Sequence, residues 1–248
     1  MGGALLSYWR KGNEDFTIVD PFLDSAPDGV ELVHDRAALC HRTFDAVVVA
    51  IKPQQVDEIV PQYRDAFAED GYILSIAAGC SIERLERACG GRPVVRVMPN
   101  LPAAIGAGVS GLCTDGDVSA AQRDHALAMM ERAGAVIEVD GEDALDRFTA
   151  VAGSGPGYVF EMARAYIEAA MELGFSETDA RKMVLGTMAG TVAMAEQTGY
   201  RLENLRNSVT SKGGTTAAGL DALNGDGTFS RLIHSTLDAA YARAVDLR

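Results

Sequence analysis

The segment Val209-Thr210-Ser211-Lys212-Gly213-Gly214-Thr215-Thr216-Ala217-Ala218-Gly219-Leu220 carries the clearest chemistry in the chain. Two glycines followed by two threonines open a helical stretch over about Thr216–Leu223. Unpaired amides at a helix N-terminus bind an anion, and the helix dipole adds to the attraction. A carboxylate suits such a pocket, and the hydroxyls of Thr215 and Thr216 stand beside it. Taken alone, a plain capped turn is the commoner meaning of such a sequence.

A second set of residues sits where predicted strands end. The chain begins Met1-Gly2-Gly3-Ala4, and Asp20 follows Gly2 by 18 residues at the end of a β-branched run. That is the interval at which a dinucleotide fold places the acid that bonds the adenosine ribose, which makes Gly2 the final glycine of G-x-G-x-x-G. The strand and first two glycines of that motif are not in this sequence. On this reading a chain starting at Met1 binds coenzyme weakly, and a misassigned or shortened start is expected. Ala50-Ile51-Lys52-Pro53 and Met98-Pro99-Asn100 each follow a buried apolar run. Ligands of open α/β sheets bind at that carboxyl edge. Lys52 can reach a coenzyme phosphate, and Asn100 can hydrogen-bond a nicotinamide or a substrate. The plainer meaning of each is a proline turn.

The elements that must position these residues alternate through the first part of the chain. Phe16–Asp20, Ala46–Ile51, Tyr72–Ala77, Val94–Met98 and Val136–Val139 read as strands, with Ala46–Ile51 buried on both faces. Helices are predicted over Gln54–Phe67, Ser81–Cys89 and Ala120–Ala133, the last with Ser119 and Gln122 as a capping box. Alternation of this kind means a parallel sheet with helices on both faces. After about Leu145 the strands stop. Helices are predicted from Pro156 to Leu173, from Ser176 to Gln197, and from Phe229 to the C-terminus. Gly186, Ala189, Gly190 and Ala193 put small residues on the second of these, so another helix can approach it closely. The division is therefore residues 1–145, a dinucleotide-binding domain, and 146–248, a helical domain.

Composition excludes several classes. Acidic residues outnumber basic ones 35 to 22, a net charge of −13, and a polyanion partner needs the opposite. No run is long and apolar enough to be a membrane span. Cys40, Cys80, Cys89 and Cys113 form no C-x-x-C pair, and His34, His41, His125 and His234 show no ligand spacing, so no metal site is expected. Reduced thiols in a cytoplasmic protein are the expected state.

Three segments together resemble the pyrroline-5-carboxylate reductases: Arg96-Val-Met-Pro-Asn100, Gly153-Ser-Gly-Pro-Gly-Tyr158 and Thr210-Ser-Lys-Gly-Gly-Thr-Thr216. The last matches the family signature S-P-G-G-T-T, with Lys212 in place of the usual proline. The resemblance runs from Met1 to the C-terminus. It implies a Rossmann-type doubly wound parallel sheet, here without its first strand, followed by an all-helical dimerisation domain. It implies a homodimer or a ring of dimers in which the helices of two subunits interleave and the active site forms near that junction. It implies reduction of 1-pyrroline-5-carboxylate, a cyclic imino acid, to L-proline with NADP(H) or NAD(H). The amides of the Gly213–Thr216 turn would hold the substrate carboxylate, and the Thr216 hydroxyl would bond the ring nitrogen as the candidate proton donor. Ser211 would shape the loop. Met1, Gly2, Asp20, Asn100 and the Ala50–Pro53 turn would face the coenzyme.

The absence of a histidine dyad or metal site is no obstacle, because a protonated imine is already electrophilic and needs placement more than acid. A hydroxyacid dehydrogenase of the same plan would carry a lysine within Pro156–Leu173, and none is there. A serine hydrolase would need G-x-S-x-G, which Ala-Gly-Ser154-Gly-Pro does not supply. The alternative from another class is a coenzyme-deficient dimer that only binds a small carboxylate, supported by the missing glycines.

Overall fold

The computed structural model describes residues 1–114 and 116–248. The chain divides into two compact units, one formed by Met1–Pro156 with Ala239–Arg248, the other by Gly157–Asp238.

The first unit opens with helix α1 (Gly2–Trp9). Strands β1 (Thr17–Val19) and β2 (Glu31–Val33) then pair in parallel as a small sheet of their own. The main sheet contains β3 (Phe44–Val49), β4 (Phe67–Ser75), β5 (Val94–Met98), β6 (Gly108–Thr114) and β7 (Gly134–Glu138), in that spatial order. Among them lie helices α2 (Val56–Ile59), α3 (Ile82–Cys89) and α4 (Ala120–Glu131), and α5 (Gly141–Phe148) follows.

Strand parity explains the layers. Ile73, Val94, Met98 and Cys113 point to one face, where Val56, Val60, Leu85, Leu145 and Phe148 cover them. Tyr72, Leu74, Val95, Val97 and Leu112 point to the other, under Leu5, Trp9, Ala126, Met129 and Met130. Helices thus cover both faces, as the alternating pattern requires.

Four details depart from the sequence reading. The sheet is mixed rather than wholly parallel, because β6 runs antiparallel to β5. The link between them, residues 99–107, is too short for a parallel crossover, which needs a dozen residues or more. Strand β6 itself was not anticipated, since its Gly108, Ser110 and Gly111 hide the apolar signal. The single helix expected over Gln54–Phe67 breaks into short turns around α2, because Pro61 has no amide to donate and disfavours helical backbone before it. Finally, Phe44, Ala46, Val47 and Val48 are only half-buried, because β3 has one neighbour, at the edge of the sheet.

Polar contacts pin α1 and α4 to the sheet. Arg132 grips Glu14 with two bonds of 2.6 and 2.7 Å and also donates to the Trp9 carbonyl. His125 lies 3.6 Å from the same carboxylate and 3.0 Å from the Tyr72 hydroxyl. The Arg132 hydrogen bonds hold the Glu14 carboxyl down at about 2. A depressed folded-state value means stability that is present above the unfolded value near 4.5 and is lost as pH falls towards 2. Allowing for solvent screening at this partly exposed pair, the contribution is about 1–2 kcal/mol. Glu14→Gln is therefore expected to lower the urea-unfolding free energy by that amount at pH 7 and by almost nothing at pH 2. Equal losses at both pH values would refute the assignment.

The second unit contains most of α6 (Gly155–Glu172), which follows a π-helical turn at Thr149–Gly153, then α7 (Glu177–Thr198), α8 (Leu202–Ser208), α9 (Thr215–Asn224) and the start of α10 (Thr228–Asp246). Ser176 caps α7 through Asp179 N, and Gly199 ends it in the left-handed region. This unit buries only Ala163, Ala170, Ala180 and Val184 among its hydrophobic residues, while Phe160, Tyr166, Leu173, Leu202 and Leu232 are more than half exposed. Apolar surface on that scale marks an association face. From Ala239 onward α10 belongs to the first unit, where Tyr241 bonds Asp143 and Arg248 pairs with the buried Asp146 at 2.9 Å.

Candidate active site

In the first unit the expected coenzyme residues lie at the carboxyl ends of β1, β3 and β5. Asp20 leaves β1, with its amide on the Val33 carbonyl and its Oδ1 accepting from Phe22 N at 2.8 Å. The second carboxylate oxygen carries no hydrogen bond within the chain among the described residues. Ala50, Ile51, Lys52 and Pro53 follow β3, and Pro53 opens a 3₁₀ turn with Lys52 as its N-cap. Lys52 is exposed and forms no ion pair among the described residues. Met1 is the N-cap of α1, and its carbonyl accepts from Leu5 N, so the amides of the first turn are unpaired in the helix. A side chain at Gly2 would place its Cβ 3.0 Å from the Ala50 Cβ. The α1 N-terminus therefore abuts the exit of β3, and these two candidates come together.

Asn100 behaves differently. It is buried, its Nδ2 donates to the Ala152 carbonyl at 3.1 Å, and its Oδ1 accepts from Val109 N at 2.9 Å. It ties the end of β5 to β6 and to the π-helical turn. One Nδ2 hydrogen is left over from these bonds.

In the second unit the Ser211–Gly214 segment is a tight turn closed by Gly214 N donating to the Ser211 carbonyl at 3.0 Å. Gly213 has φ +72°, which an L side chain rarely adopts, and stands third in the turn, where a type II turn demands glycine. Proline favours the second position of such turns, so Lys212 occupies the place that a proline would stiffen. A Cβ at Gly214 would fall 2.3 Å from Ser211 Oγ, so that residue must be glycine for the serine to pack there. Gly214 caps α9 without any side-chain hydrogen bond, and its carbonyl takes the first helical bond from Ala218 N. The amides of Thr215 and Thr216 thus point out of the helix start unpaired, with the half-buried Thr216 hydroxyl beside them and no internal partner for it among the described residues. This is an anion cradle with a hydroxyl at its rim.

The pyrroline-5-carboxylate reductase of Pseudomonas aeruginosa is 38% identical over 204 residues, covering 82% of this chain and 74% of that protein. This chain belongs to the pyrroline-5-carboxylate reductase family. Pyrroline-5-carboxylate reductase 2 of Bacillus subtilis is 35% identical over 82% of the chain and 73% of its own length. The profile for pyrroline-5-carboxylate reductase dimerisation matches residues 142–247. Among solved structures, the reductase of Coxiella burnetii superposes with a TM-score of 0.90 at 30% identity, over 99% of this chain and 94% of that one. The Plasmodium falciparum pyrroline carboxylate reductase, solved with NADP bound, gives 0.86 at 25% identity, over 100% and 94%.

Two contacts made by the candidate residues escaped the sequence reading. His34 approaches the Asp20 carbonyl at 3.0 Å, and Ala152 holds Asn100. The first depends on the pairing of β1 with β2, the second on a π-helical turn, and neither leaves a local motif. Among the described residues no helix is long and apolar enough to cross a membrane, and no cluster of acidic, histidine or cysteine side chains could hold a metal ion.

Proposed function

We propose that this chain reduces 1-pyrroline-5-carboxylate to L-proline with a nicotinamide coenzyme, working as a homodimer in the cytoplasm, where its four free thiols stay reduced. The observation that carries the reading is the Ser211–Thr216 turn, whose amides suit a carboxylate and whose threonine hydroxyl suits a ring nitrogen. The amides of Gly213, Thr215 and Thr216 hold the carboxylate, while Gly214 N closes the turn on the Ser211 carbonyl and fixes their direction. Thr216 hydrogen-bonds the ring nitrogen and fixes it in place; the substrate binds as the protonated imine, so that nitrogen already carries the proton it keeps in the product.

When bound, the reduced nicotinamide supplies the hydride that adds to the imine carbon. The first unit fits such a group. The α1 N-terminus at Met1 and Gly2 offers unpaired amides to a pyrophosphate, Lys52 offers a cation at the exit of β3, and Asp20 offers an unengaged oxygen to a ribose hydroxyl. The Ala50–Pro53 turn, which abuts the α1 start at Gly2, would face the same coenzyme. Asn100 acts by holding the β5 exit in place. Residues 1–145 on this reading serve the coenzyme, and 146–248 serve dimerisation and the substrate. The test is oxidation of NADPH or NADH dependent on added pyrroline-5-carboxylate, with proline as product. A protein that binds the imino acid but oxidises neither coenzyme would overturn it.

Coenzyme choice follows from Asp20. A carboxylate accepts from a ribose 2′-hydroxyl and repels a 2′-phosphate. The Plasmodium relative is solved with NADP, yet this chain is expected to use NADH appreciably. Steady-state rates with NADPH and none with NADH would refute the expectation.

A further inference from the structure

Phe22 has no structural reason to be where it is. It is 90% exposed, more than any other large apolar side chain among the described residues, and it belongs to neither core cluster. Its backbone is nevertheless well held. Its amide donates to Asp20 Oδ1 at 2.8 Å, Pro21 restricts the link between them, and Asp20 is anchored to the β2 strand and to His34. An aromatic ring is thus displayed in solvent from a fixed turn, at the carboxyl end of β1.

We propose that Phe22 is the platform on which the adenine of the coenzyme stacks. This rests on the coenzyme reading given above. Asp20 spends one oxygen on Phe22 N and keeps the other for the ribose, so one carboxylate sets both the sugar and the ring. Two residues span at most about 7 Å, comparable with the reach from a ribose 2′-hydroxyl to the adenine on the same sugar. Asp20 and Asp24 lie two residues to either side of Phe22 in the chain, and their charge disfavours a phosphate as the occupant and favours a neutral base. Bases stack on an aromatic side chain through their π-faces without needing hydrogen-bond partners.

The test compares coenzymes with and without adenine on the intact protein, by fluorescence titration and calorimetry. Phe22→Ala is expected to weaken NADH and ADP-ribose about tenfold, equivalent to about 1.4 kcal/mol, and to leave reduced nicotinamide mononucleotide unchanged. Phe22→Trp is expected to keep NADH affinity, and the introduced indole is expected to be quenched by ADP-ribose. Unchanged NADH affinity in Phe22→Ala would overturn the platform. So would equal losses for both coenzymes, or a change in sedimentation in place of a change in binding, which would make the ring a protein contact. Failure of the parent protein to bind either NADH or NADPH would overturn the coenzyme reading along with it.

Discussion

Thr216→Ala is expected to lower turnover about a hundredfold while leaving the fold intact. Misplacing a reacting atom costs about 10² in rate, and that positioning is what the hydroxyl supplies, because the imine is already protonated. The carboxylate is held by backbone amides, which the substitution does not remove, so the effect falls on kcat more than on KM. Stability should change by less than about 1 kcal/mol, since alanine is a better helix former than threonine and the hydroxyl has no internal partner to lose. Thr216→Ser keeps the hydroxyl and should recover most of the rate. Steady-state kinetics on the three proteins decide the matter, and equal rates for Thr216→Ala and the parent would remove this residue from the mechanism.

Gly190→Leu is expected to break assembly. A Cβ built at Gly190 meets nothing within 4 Å in the single chain, and the same holds at Gly186. The missing side chains therefore serve no contact inside the chain, whereas Val192 and Met194 on the same helix stand exposed, and the matched profile is one of dimerisation. Small residues leave room for a partner helix. Forcing a large side chain into a packed contact costs about 1–3 kcal/mol, and a twofold interface meets it twice. The dissociation constant should rise about thirtyfold or more, with monomer or aggregate appearing in sedimentation velocity. A parent protein that sediments as a stable monomer would end this reading.

Much of the site was legible because its chemistry is local. The Gly213-Gly214-Thr215-Thr216 run reads as a turn opening a helix with unpaired first-turn amides, since glycine conformation and helix ends depend on neighbours in sequence, and the structure has that helix start. The Ser119 and Gln122 capping box, the helices that start at Ser81 and Ser176 and the Val94–Met98 strand were legible for the same reason, and the structure has all four. So was the segregation of strands from helices, because burial periodicity is a property of short windows.

What the residue order left open are the matters settled by pairing at a distance. Nothing near Gly108–Thr114 announces a strand, and its antiparallel direction follows from the short link before it and the β5 edge it joins. Asn100 reads from sequence as a ligand-facing amide, and only the fold shows that Val109 and Ala152, nine and fifty-two residues away, take two of its hydrogen bonds and leave one Nδ2 hydrogen over. His34 reaches Asp20 only because β1 and β2 lie in register, Val19 opposite Val33. Phe22 carries no signal in the sequence, and only the folded chain shows that no core takes it. Hydrogen bonds and van der Waals contacts act over a few ångströms, so which distant residues share them is decided by topology rather than by order along the chain.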